Sequence, residues 1–480
     1  MPDTYLAIDI GASSGRHIAA WLENGMIKTQ EVYRFPNEAV MKDGHLCWEQ
    51  KALFHHVVAG LKAAKFQHFH VCSVGIDTWG VDFMLLDGHD QPVGDMIAYR
   101  DKRTEGIDAL LEDALPFQRH FALSGIARQP FNTVYQLIAA LKEHPEYRDR
   151  VQDFLLTPEY LSFLLTGNKC HEWTILSTGA LCDAHTRDWA WDILQAAGLP
   201  EHWFHTPILP PGSDIGHVKM EIAREIGYSP RVILPAAHDT GSAYMAVPAR
   251  DTDAAFLSSG TWSLLGTELS TPVTSQEALL CGFTNEGGYG QTTRFLKNIM
   301  GMWILQCIRK ETNQQYTYAE MAEMARVSHY PAWIDAKNQR FMAPKSMLRE
   351  VEAALLDQDA PSPKGLADIL RAVTMGLAVC YRDSIQEMQR ITGKTFTSIN
   401  IVGGGSQNVV LNQMTADITG LPVYAGPTEG TALGNLGAQM IHAGEFKDLQ
   451  HFRNALARSF SVTEYLPNQK SNTEERIHPS

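Results

Sequence analysis

The chain of 480 residues lacks any uninterrupted run of 18 apolar residues, so the sequence predicts no membrane span. Its first residues carry no basic patch ahead of an apolar stretch. We therefore expect no secretory signal and a cytoplasmic location. A formal net charge of −14, with no long run of lysine and arginine, argues against a nucleic-acid partner because such a surface repels a phosphate backbone.

Cysteine is sparse and scattered. The seven cysteines are odd in number and include no Cys-x-x-Cys pair, which argues against a disulfide framework or a zinc site. We expect them to be reduced thiols. The negative net charge makes a neutral substrate easier to accept than an anionic one, so an anionic cofactor needs local compensation.

The sequence does contain an internal repeat, in which the same order of predicted elements occurs twice. Each copy reads as a strand, a hairpin of Gly, Ser or Thr, a returning strand, a helix and a second strand that ends in glycine. The first copy opens with the strand 5–10 and the second with the strand 254–258. This pattern predicts an α/β fold. We place one domain at 1–245, a second at 246–466, and a polar tail at 467–480.

Hydrophobic periodicity places the main elements. Asn24-Gly25 is a strong signal for a two-residue hairpin turn. Helices are predicted over 51–65, 131–143, 158–166, 365–391, 409–419 and 430–443, and strands over 16–23, 26–33, 71–77, 398–402 and 422–425.

The stretch 236–243 follows an apolar run, restarts as a helix and carries a His-Asp pair. Open α/β sheets bind ligands at the carboxyl ends of their strands, which makes Asp239 the candidate catalytic residue. Alternatively, Asp239 merely caps a helix that begins at Thr240.

Two small-residue loops could approach an anion closely through backbone N–H groups and hydroxyls. The loop 11–16 lacks the Gly-Lys-Ser/Thr of a P-loop and leads into a strand, and the loop 258–261 stands at the matching place in the second copy. Gly403-x-Gly405-x-x-Asn408 lacks the third glycine of a dinucleotide fingerprint. Each of these could be no more than a turn.

Asp9 is the last residue but one of its strand and would lie beside the first loop. A carboxylate next to phosphate-binding loops suits Mg²⁺, which prefers hard oxygen ligands and keeps several waters. A strand-end aspartate bonded to backbone is the competing interpretation.

The stretch 75–83 combines aspartates, Trp79 and a glycine, the set of groups that binds a sugar. A lone tryptophan in such a turn is also typical of a core. Asn298 is expected just before a helix, where capping alone would explain it. Gln306 would then lie on nearly the same helical face, so that Asn298 reaches substrate and Gln306 reaches nucleotide.

Taken in order, these stretches resemble the signature motifs of the FGGY carbohydrate kinases, in the superfamily that also holds actin, hexokinase and the heat-shock chaperone ATPases. The resemblance runs from about Leu6 to Ala443. It is carried by 6–16, 75–83, 237–240, 258–263, 297–306 and 401–408.

The resemblance implies two ribonuclease-H-like, actin-like ATPase domains that flank a central cleft. It implies transfer of the ATP γ-phosphoryl group to the 1-hydroxyl of L-rhamnulose, with ATP and Mg²⁺ required and no nucleic acid or membrane as partner. By this match Asp239 is the general base and Asp9 is the metal-binding residue. Sugar-binding residues would be Gly80, His238, Asp239, Thr240 and Asn298, and ATP-binding residues Ala12, Ser13, Ser14, Gly15, Arg16, Thr261, Gln306 and Gly404.

Alternative functions stay open at this point. L-fuculose, D-xylulose or glycerol are possible acceptors. A nucleotide-dependent clamp of the actin or chaperone kind would share the fold without the sugar chemistry. A metal-dependent hydrolase built on His238 and Asp239 lacks further ligands at usable spacing.

Overall fold

A computed structural model describes residues 2–342 and 344–468 of the chain. The strands are β1 (Asp3–Ile10), β2 (Ser14–Glu23), β3 (Met26–Pro36), β4 (Val40–Lys42), β5 (His45–Trp48), β6 (His70–Thr78), β7 (Phe83–Asp87), β8 (Pro92–Val93), β9 (Met96–Ile97), β10 (Val151–Leu156), β11 (His171–Glu172), β12 (Cys182–Asp183), β13 (Asp188–Trp189), β14 (Ile208–Leu209), β15 (Asp214–His217), β16 (Arg231–Ile233), β17 (Ala254–Ser259), β18 (Ser263–Leu269), β19 (Thr284–Gly287), β20 (Thr293–Ile299), β21 (Ser398–Val402), β22 (Val423–Ala425) and β23 (Thr463–Tyr465).

The helices carry most of the remaining regular structure. They are α1 (Gln50–Phe66), α2 (Ile107–Ala114), α3 (Phe117–Ser124), α4 (Thr133–Glu143), α5 (Tyr147–Arg150), α6 (Thr157–Thr166), α7 (Trp173–Leu176), α8 (Trp191–Ala196), α9 (Met220–Ile226), α10 (Asp239–Met245), α11 (Gln276–Leu280), α12 (Trp303–Glu311), α13 (Tyr318–Val327), α14 (Met347–Leu356), α15 (Leu366–Thr392), α16 (Val409–Thr419), α17 (Gly430–His442) and α18 (Leu449–Ser459).

The chain divides into two compact units that are discontinuous in sequence. Unit 1 comprises 1–248, 267–296 and 429–460, and unit 2 comprises 249–266, 297–428 and 461–480. This division differs from the expected 1–245 and 246–466 because α17 and α18 pack on the first sheet. Most of the predicted polar tail, 469–480, lies outside the described residues.

Unit 1 is built on a six-stranded sheet of order β15-β16-β6-β1-β2-β3. The strands β1, β2 and β3 are antiparallel neighbours, whereas β6 and β16 continue the sheet in parallel with β1. Residues of β1 alternate between two cores: Leu6 and Ile8 pack with α1, and Tyr5 and Ala7 pack with α17 and α18. Burial on both faces explains why β1 reads as a continuous apolar run.

Unit 2 repeats this topology. The strand β17 pairs antiparallel with β18 and parallel with β21, which in turn pairs parallel with β22. The 27-residue helix α15 runs beside this sheet with 14 buried residues. The structure thus confirms the α/β class and the repeated plan that the sequence predicts. The strand order is that of a ribonuclease-H-like fold.

All seven cysteines are free thiols. In the part of the chain that the structure describes, no helix has both the length and the hydrophobicity that crossing a bilayer takes. The cytoplasmic location stays a prediction.

Candidate active site

Three adjacent parallel strands of unit 1 bring most of the predicted residues together at their carboxyl ends. Asp9 on β1 is in register with Asp77 on β6. The next strand, β16, leads into a loop whose Ala237 carbonyl accepts a hydrogen bond from the Thr78 amide, 3.0 Å, and His238 forms a parallel bridge to Thr78. This is the end of an open α/β sheet at which ligands bind.

Asp239 is the first residue of α10, and His238 precedes it as the N-cap. One carboxylate oxygen, Oδ1, accepts hydrogen bonds from the Thr240 amide, 2.6 Å, and the Thr240 hydroxyl, 3.1 Å. The other oxygen, Oδ2, has no hydrogen-bond partner among the described residues, and the side chain is 34% exposed. One carboxylate oxygen is therefore fixed by hydrogen bonds, and the other is available to a ligand. A role as a helix cap alone does not require this second oxygen to be available.

His238 connects Asp239 to a buried ion pair. Its Nε2 lies 3.3 Å from Oδ1 of Asp239. On the far side of the ring, Nδ1 lies 3.1 Å from an Arg294 nitrogen and 3.2 Å from Glu286. Nδ1 therefore faces both the Arg294 donor and the Glu286 carboxylate, while Nε2 faces Asp239, so charged groups hold the ring on both sides.

The ion pair behind His238 is closed off from water. Arg294 is fully buried, lies 3.0 Å from Glu286 and donates to the Gly287 carbonyl at 2.7 Å. Burial by itself would raise the pKa of Glu286, but Arg294 and His238 outweigh it and hold that pKa below its ordinary value. Glu286 is therefore an anion, and the pair forms a charged support for the ring.

A second buried carboxylate fixes the loop before Asp239. Glu172 is fully buried and accepts hydrogen bonds from the Ala237 amide, 3.0 Å, and from the amide and hydroxyl of Thr174, 2.9 and 2.5 Å. Burial raises the pKa of Glu172 to about 7, partly offset by these donors. Through Ala237, Glu172 positions the residues that lead into α10.

Gly80 lies next to His238. A Cβ at Gly80 would stand 3.1 Å from the Thr178 hydroxyl and 3.4 Å from Nε2 of His238. Thr240 is buried beneath Asp239. Gly80, His238, Asp239 and Thr240 thus form one cluster in unit 1.

The sugar-face interpretation of Trp79 is wrong, because the ring lies in the core. Trp79 is 6% exposed, its ring centroid lies 4.3 Å from that of Trp48, and both indoles donate to Oδ2 of Asp82. Asp82 also accepts from Tyr99 and Gln136. Burial raises the pKa of Asp82 to about 6, against those hydrogen bonds. Asp82 is therefore saturated by protein donors.

Asp9, Asp77 and Arg16 form the charged floor of this site. Arg16 donates two hydrogen bonds to Oδ2 of Asp9, 2.9 and 2.8 Å, and pairs with Glu429 at 2.5 Å. Asp77 accepts from Asn435 at 2.6 Å, but its Oδ1 is buried without a partner. Burial, followed by Asp9, raises the pKa of Asp77 well above its ordinary range.

This floor fits a divalent cation. The orphaned oxygen of Asp77 and the oxygen of Asp9 that Arg16 leaves free are hard donors, the type that Mg²⁺ prefers. The described residues place no three carboxylate oxygens here within 4.8 Å of one another. Asp9 and Asp77 are therefore the residues that would hold the cation.

The loop 11–16 has unused hydrogen-bond donors. Neither the amides of Ala12 and Ser13 nor the hydroxyls of Ser13 and Ser14 find a partner among the described residues, while the Gly11 amide bonds the Ser14 carbonyl at 2.9 Å. Free donors next to Arg16 suit a phosphate. Gly15 has a packing reason of its own, since a Cβ there would lie 2.1 Å from the Phe35 ring.

In unit 2, the turn after β17 is braced by glycines. A Cβ at Gly403, which has φ +86°, would lie 2.8 Å from the Ser259 carbonyl oxygen, and one at Gly405 would lie 1.9 Å from the Ser259 hydroxyl. Gly404 is exposed, with nothing within 4 Å of the position a Cβ would take. The backbone at Gly404 is therefore open to a ligand.

The same turn holds the start of α12. The Thr261 carbonyl accepts from the Trp303 amide at 3.0 Å, and the Thr261 hydroxyl donates to Oε1 of Gln306 at 3.4 Å. The structure thus brings the predicted residues Thr261 and Gln306 together in unit 2.

The predicted placement of Asn298 is wrong. Asn298 is the last residue but one of β20, and α12 begins at Trp303, so Asn298 neither caps the helix nor shares a face with Gln306. The strand continues because β-branched and aromatic residues precede Asn298, and Gly301 at φ +32° then turns the chain. The Asn298 amide makes no side-chain hydrogen bond among the described residues.

Sequence reasoning missed Glu286, Arg294, Glu172 and Asp77 as site residues. Glu286 and Arg294 face each other across the β19–β20 hairpin, where they are register partners. An acidic and a basic residue eight positions apart around a glycine-rich turn are a usable hairpin signal. Nothing in the sequence connects that hairpin to His238.

Comparison with known families assigns the chain to a class. Residues 4–246 match the N-terminal domain, and residues 255–443 the C-terminal domain, of the FGGY family of carbohydrate kinases. The chain belongs to the FGGY family of carbohydrate kinases.

Individual relatives narrow this class. The chain is 41% identical over 461 residues to the rhamnulokinase of Halalkalibacterium halodurans, covering 96% of this chain and 98% of that protein. It is 39% identical to the rhamnulokinase of Oceanobacillus iheyensis, covering 97% and 98%. A crystal structure of gluconate kinase from Lactobacillus acidophilus shares the fold, with a TM-score of 0.79 at 15% identity over 98% of this chain and 94% of that one.

Proposed function

We propose that this protein transfers the γ-phosphoryl group of ATP to the 1-hydroxyl of L-rhamnulose. The observation that carries the proposal is Asp239, whose Oδ1 is fixed by Thr240 and whose Oδ2 is open. The near full-length similarity to rhamnulokinases supports the choice of sugar.

In this proposal Asp239 accepts the proton of the sugar hydroxyl as the oxygen attacks phosphorus. Proton transfer by a positioned group typically contributes about 10²- to 10⁴-fold. His238, with Nε2 3.3 Å from Asp239, keeps the carboxylate in place. Gly80, His238, Thr240 and Asn298 contact the sugar, and the unpartnered Asn298 amide has donors and an acceptor to offer its hydroxyls.

In this proposal the ATP-binding residues are Ala12, Ser13, Ser14, Gly15, Arg16, Thr261, Gln306 and Gly404. The free amides and hydroxyls of residues 12–14 are directed to phosphate oxygens. Arg16 adds positive charge where negative charge develops, the usual requirement of phosphoryl transfer. Asp9 would hold Mg²⁺, whose positive charge would neutralise phosphate charge.

The experiment that tests the proposal measures ADP release from ATP and Mg²⁺ with a panel of acceptors. We expect L-rhamnulose to give the highest kcat/KM, above L-fuculose, D-xylulose and glycerol, and ATP alone to give little ADP. Higher turnover with another acceptor would overturn the choice of sugar. ADP release that no acceptor stimulates would overturn the kinase assignment and favour a nucleotide clamp.

A further inference from the structure

A cluster of metal-binding side chains lies at the opposite end of the first sheet, at the start of β1 and β6. Nδ1 of His70 is 3.2 Å from Oδ1 of Asp3 and 3.8 Å from Sγ of Cys72. One ligand atom from each of these residues lies within 4.8 Å of the other two. Among the described residues, no other group of three histidine, cysteine or acidic side chains has its ligand atoms this close together.

Cys72 stands two positions after His70 on β6 and lies at an irregularity in the pairing of β6 with β1. Asp3 pairs with His70 and Thr4 with Val71, but Tyr5 pairs with Ser73, so Cys72 is the additional residue of a β-bulge. A bulge re-aims side chains and is a specific feature of a strand rather than a defect. The exposed His70 and the half-buried Cys72 alternate with the buried Val71 and Ser73, so the imidazole and the thiol lie on the same face of β6.

The distances match the edges of a tetrahedral zinc site. With Zn–N and Zn–O near 2.1 Å and Zn–S near 2.3 Å, a tetrahedron has an N–O edge of about 3.4 Å and an N–S edge of about 3.6 Å. The observed separations, 3.2 and 3.8 Å, need movements of only a few tenths of an ångström. The third separation, between the carboxylate of Asp3 and Sγ of Cys72, is within 4.8 Å.

Charge around the cluster favours a cation. Glu445 lines the same cavity as Asp3 and Cys72. Glu445 also accepts a hydrogen bond from the Tyr5 hydroxyl at 2.9 Å. Arg231, the nearby arginine, is paired with Asp214. The local excess of acidic groups attracts a divalent cation.

An adjoining cavity leaves room for the remaining coordination position. It has a volume of about 290 Å³ and is lined by Asp3, Cys72, Glu445 and His442, among others. It is open to solvent, so a metal can enter and a water can complete its shell.

We propose that Asp3, His70 and Cys72 bind one Zn²⁺ ion, with water from the adjoining cavity as the fourth ligand. A nitrogen, oxygen and sulfur set in tetrahedral spacing is typical of Zn²⁺ rather than Mg²⁺ or Ca²⁺. The ion ties the first residue of β1 to the bulge of β6. The site is independent of the kinase reaction and stands whether or not the proposed function does.

Cobalt substitution tests this site by absorption. Co²⁺ added to the full-length protein should produce a thiolate-to-cobalt charge-transfer band and intense visible bands of tetrahedral cobalt, saturating at one equivalent and removed by Zn²⁺. The variant Cys72→Ser should lose the charge-transfer band. Cys281→Ser, which changes another half-exposed free thiol, should keep it.

Affinity supplies a second readout that does not depend on the thiol. Loss of a group that merely supports a metal ligand costs about 10- to 100-fold in affinity, so His70→Ala should weaken Zn²⁺ binding at least as much. Zinc should raise the Tm of the parent protein and leave that of His70→Ala unchanged. No charge-transfer band in the parent, an unaltered band in Cys72→Ser, or equal zinc affinity in parent and His70→Ala would each overturn the proposal.

Discussion

The two units have the same strand order but different chemistry at the ends of corresponding strands. In unit 1, β1 and β6 end in the carboxylates Asp9 and Asp77. In unit 2, the corresponding strands β17 and β21 end in Ser259 and lead into Gly403. The difference shows that this topology fixes where a ligand binds and leaves the side chains free to decide what happens to it.

This contrast assigns a task to each unit. Unit 1 has buried acids, an arginine and a held histidine, which in the proposed function move a proton and bind a cation. Unit 2 offers an exposed glycine backbone and the Thr261–Gln306 pair, which bind without acid or base chemistry. On the proposed function, a change at Asp239 should therefore affect turnover, and changes at Thr261, Gln306 or Gly404 should affect nucleotide binding.

The largest effect is expected for Asp239→Asn. The amide cannot accept the hydroxyl proton, so kcat should fall by about 10²- to 10⁴-fold, while titration calorimetry should give ATP and sugar affinities within several-fold of the parent. Asp149→Asn, on the exposed surface of α5, is the matched control and should be silent. A near-parental kcat for Asp239→Asn would show that Asp239 is not the general base.

Breaking the charged support should come next. Glu286→Gln or Arg294→Met leaves one buried charge uncompensated, and each should reduce the free energy of unfolding by about 3–5 kcal/mol. Urea denaturation of both single variants and the double variant measures this. The double variant should lose less than the sum of the singles because the two residues interact. Additive losses would contradict the ion pair.

A glycine pair probes unit 2 in the same way. Gly403→Ala forces a side chain into φ +86° and against the Ser259 carbonyl, and should cost about 1–3 kcal/mol of stability. The methyl group of Gly404→Ala would point into open space, so this variant should be as stable as the parent. Because the methyl group would cover backbone assigned to ATP binding, the KM for ATP should rise with little change in kcat. Equal stability of the two variants, or a loss of kcat alone in Gly404→Ala, would break the contrast between the units.

The smallest effect concerns pH. The pKa of Glu172 is about 7 in the folded protein and 4.5 ordinarily, so the folded state binds its proton more tightly. Its contribution to stability is complete below about pH 4.5 and is lost as pH rises through 7. Between pH 5 and 7.5, the parent should therefore lose more stability than Glu172→Gln in denaturant titrations. Parallel profiles would show that Glu172 is ionised throughout.

The repeated fold could be predicted from sequence because its elements have strong local signals. Alternating or continuous apolar runs and Asn24-Gly25 determine the first strands, and β2 and β3 form within a few residues of their predicted bounds. Asp239 could be found because it stands at the junction of a strand and a helix. In each case the signal lies within the segment itself.

The rest depends on contacts between distant segments. Asn435 of α17 bonds Asp77 across 358 positions, and Arg294 meets His238 across 56. Neither contact leaves a local pattern in the sequence, because the two residues of each pair lie too far apart along the chain. Asn298 was misplaced because the residues after it are apolar and suit a helix as well as a strand. The sequence could not decide between the sugar and core interpretations of Trp79, because burial, unlike residue type, is a property of the whole fold.

The phosphorus-31 NMR spectrum of the product tests the central claim most directly. With ATP, Mg²⁺ and L-rhamnulose, the parent protein should yield a phosphomonoester whose phosphorus couples to the two C1 protons, and Asp239→Asn should yield none. A signal for inorganic phosphate alone, coupling to a different position of the sugar, or an equal yield from the Asp239→Asn protein would contradict it.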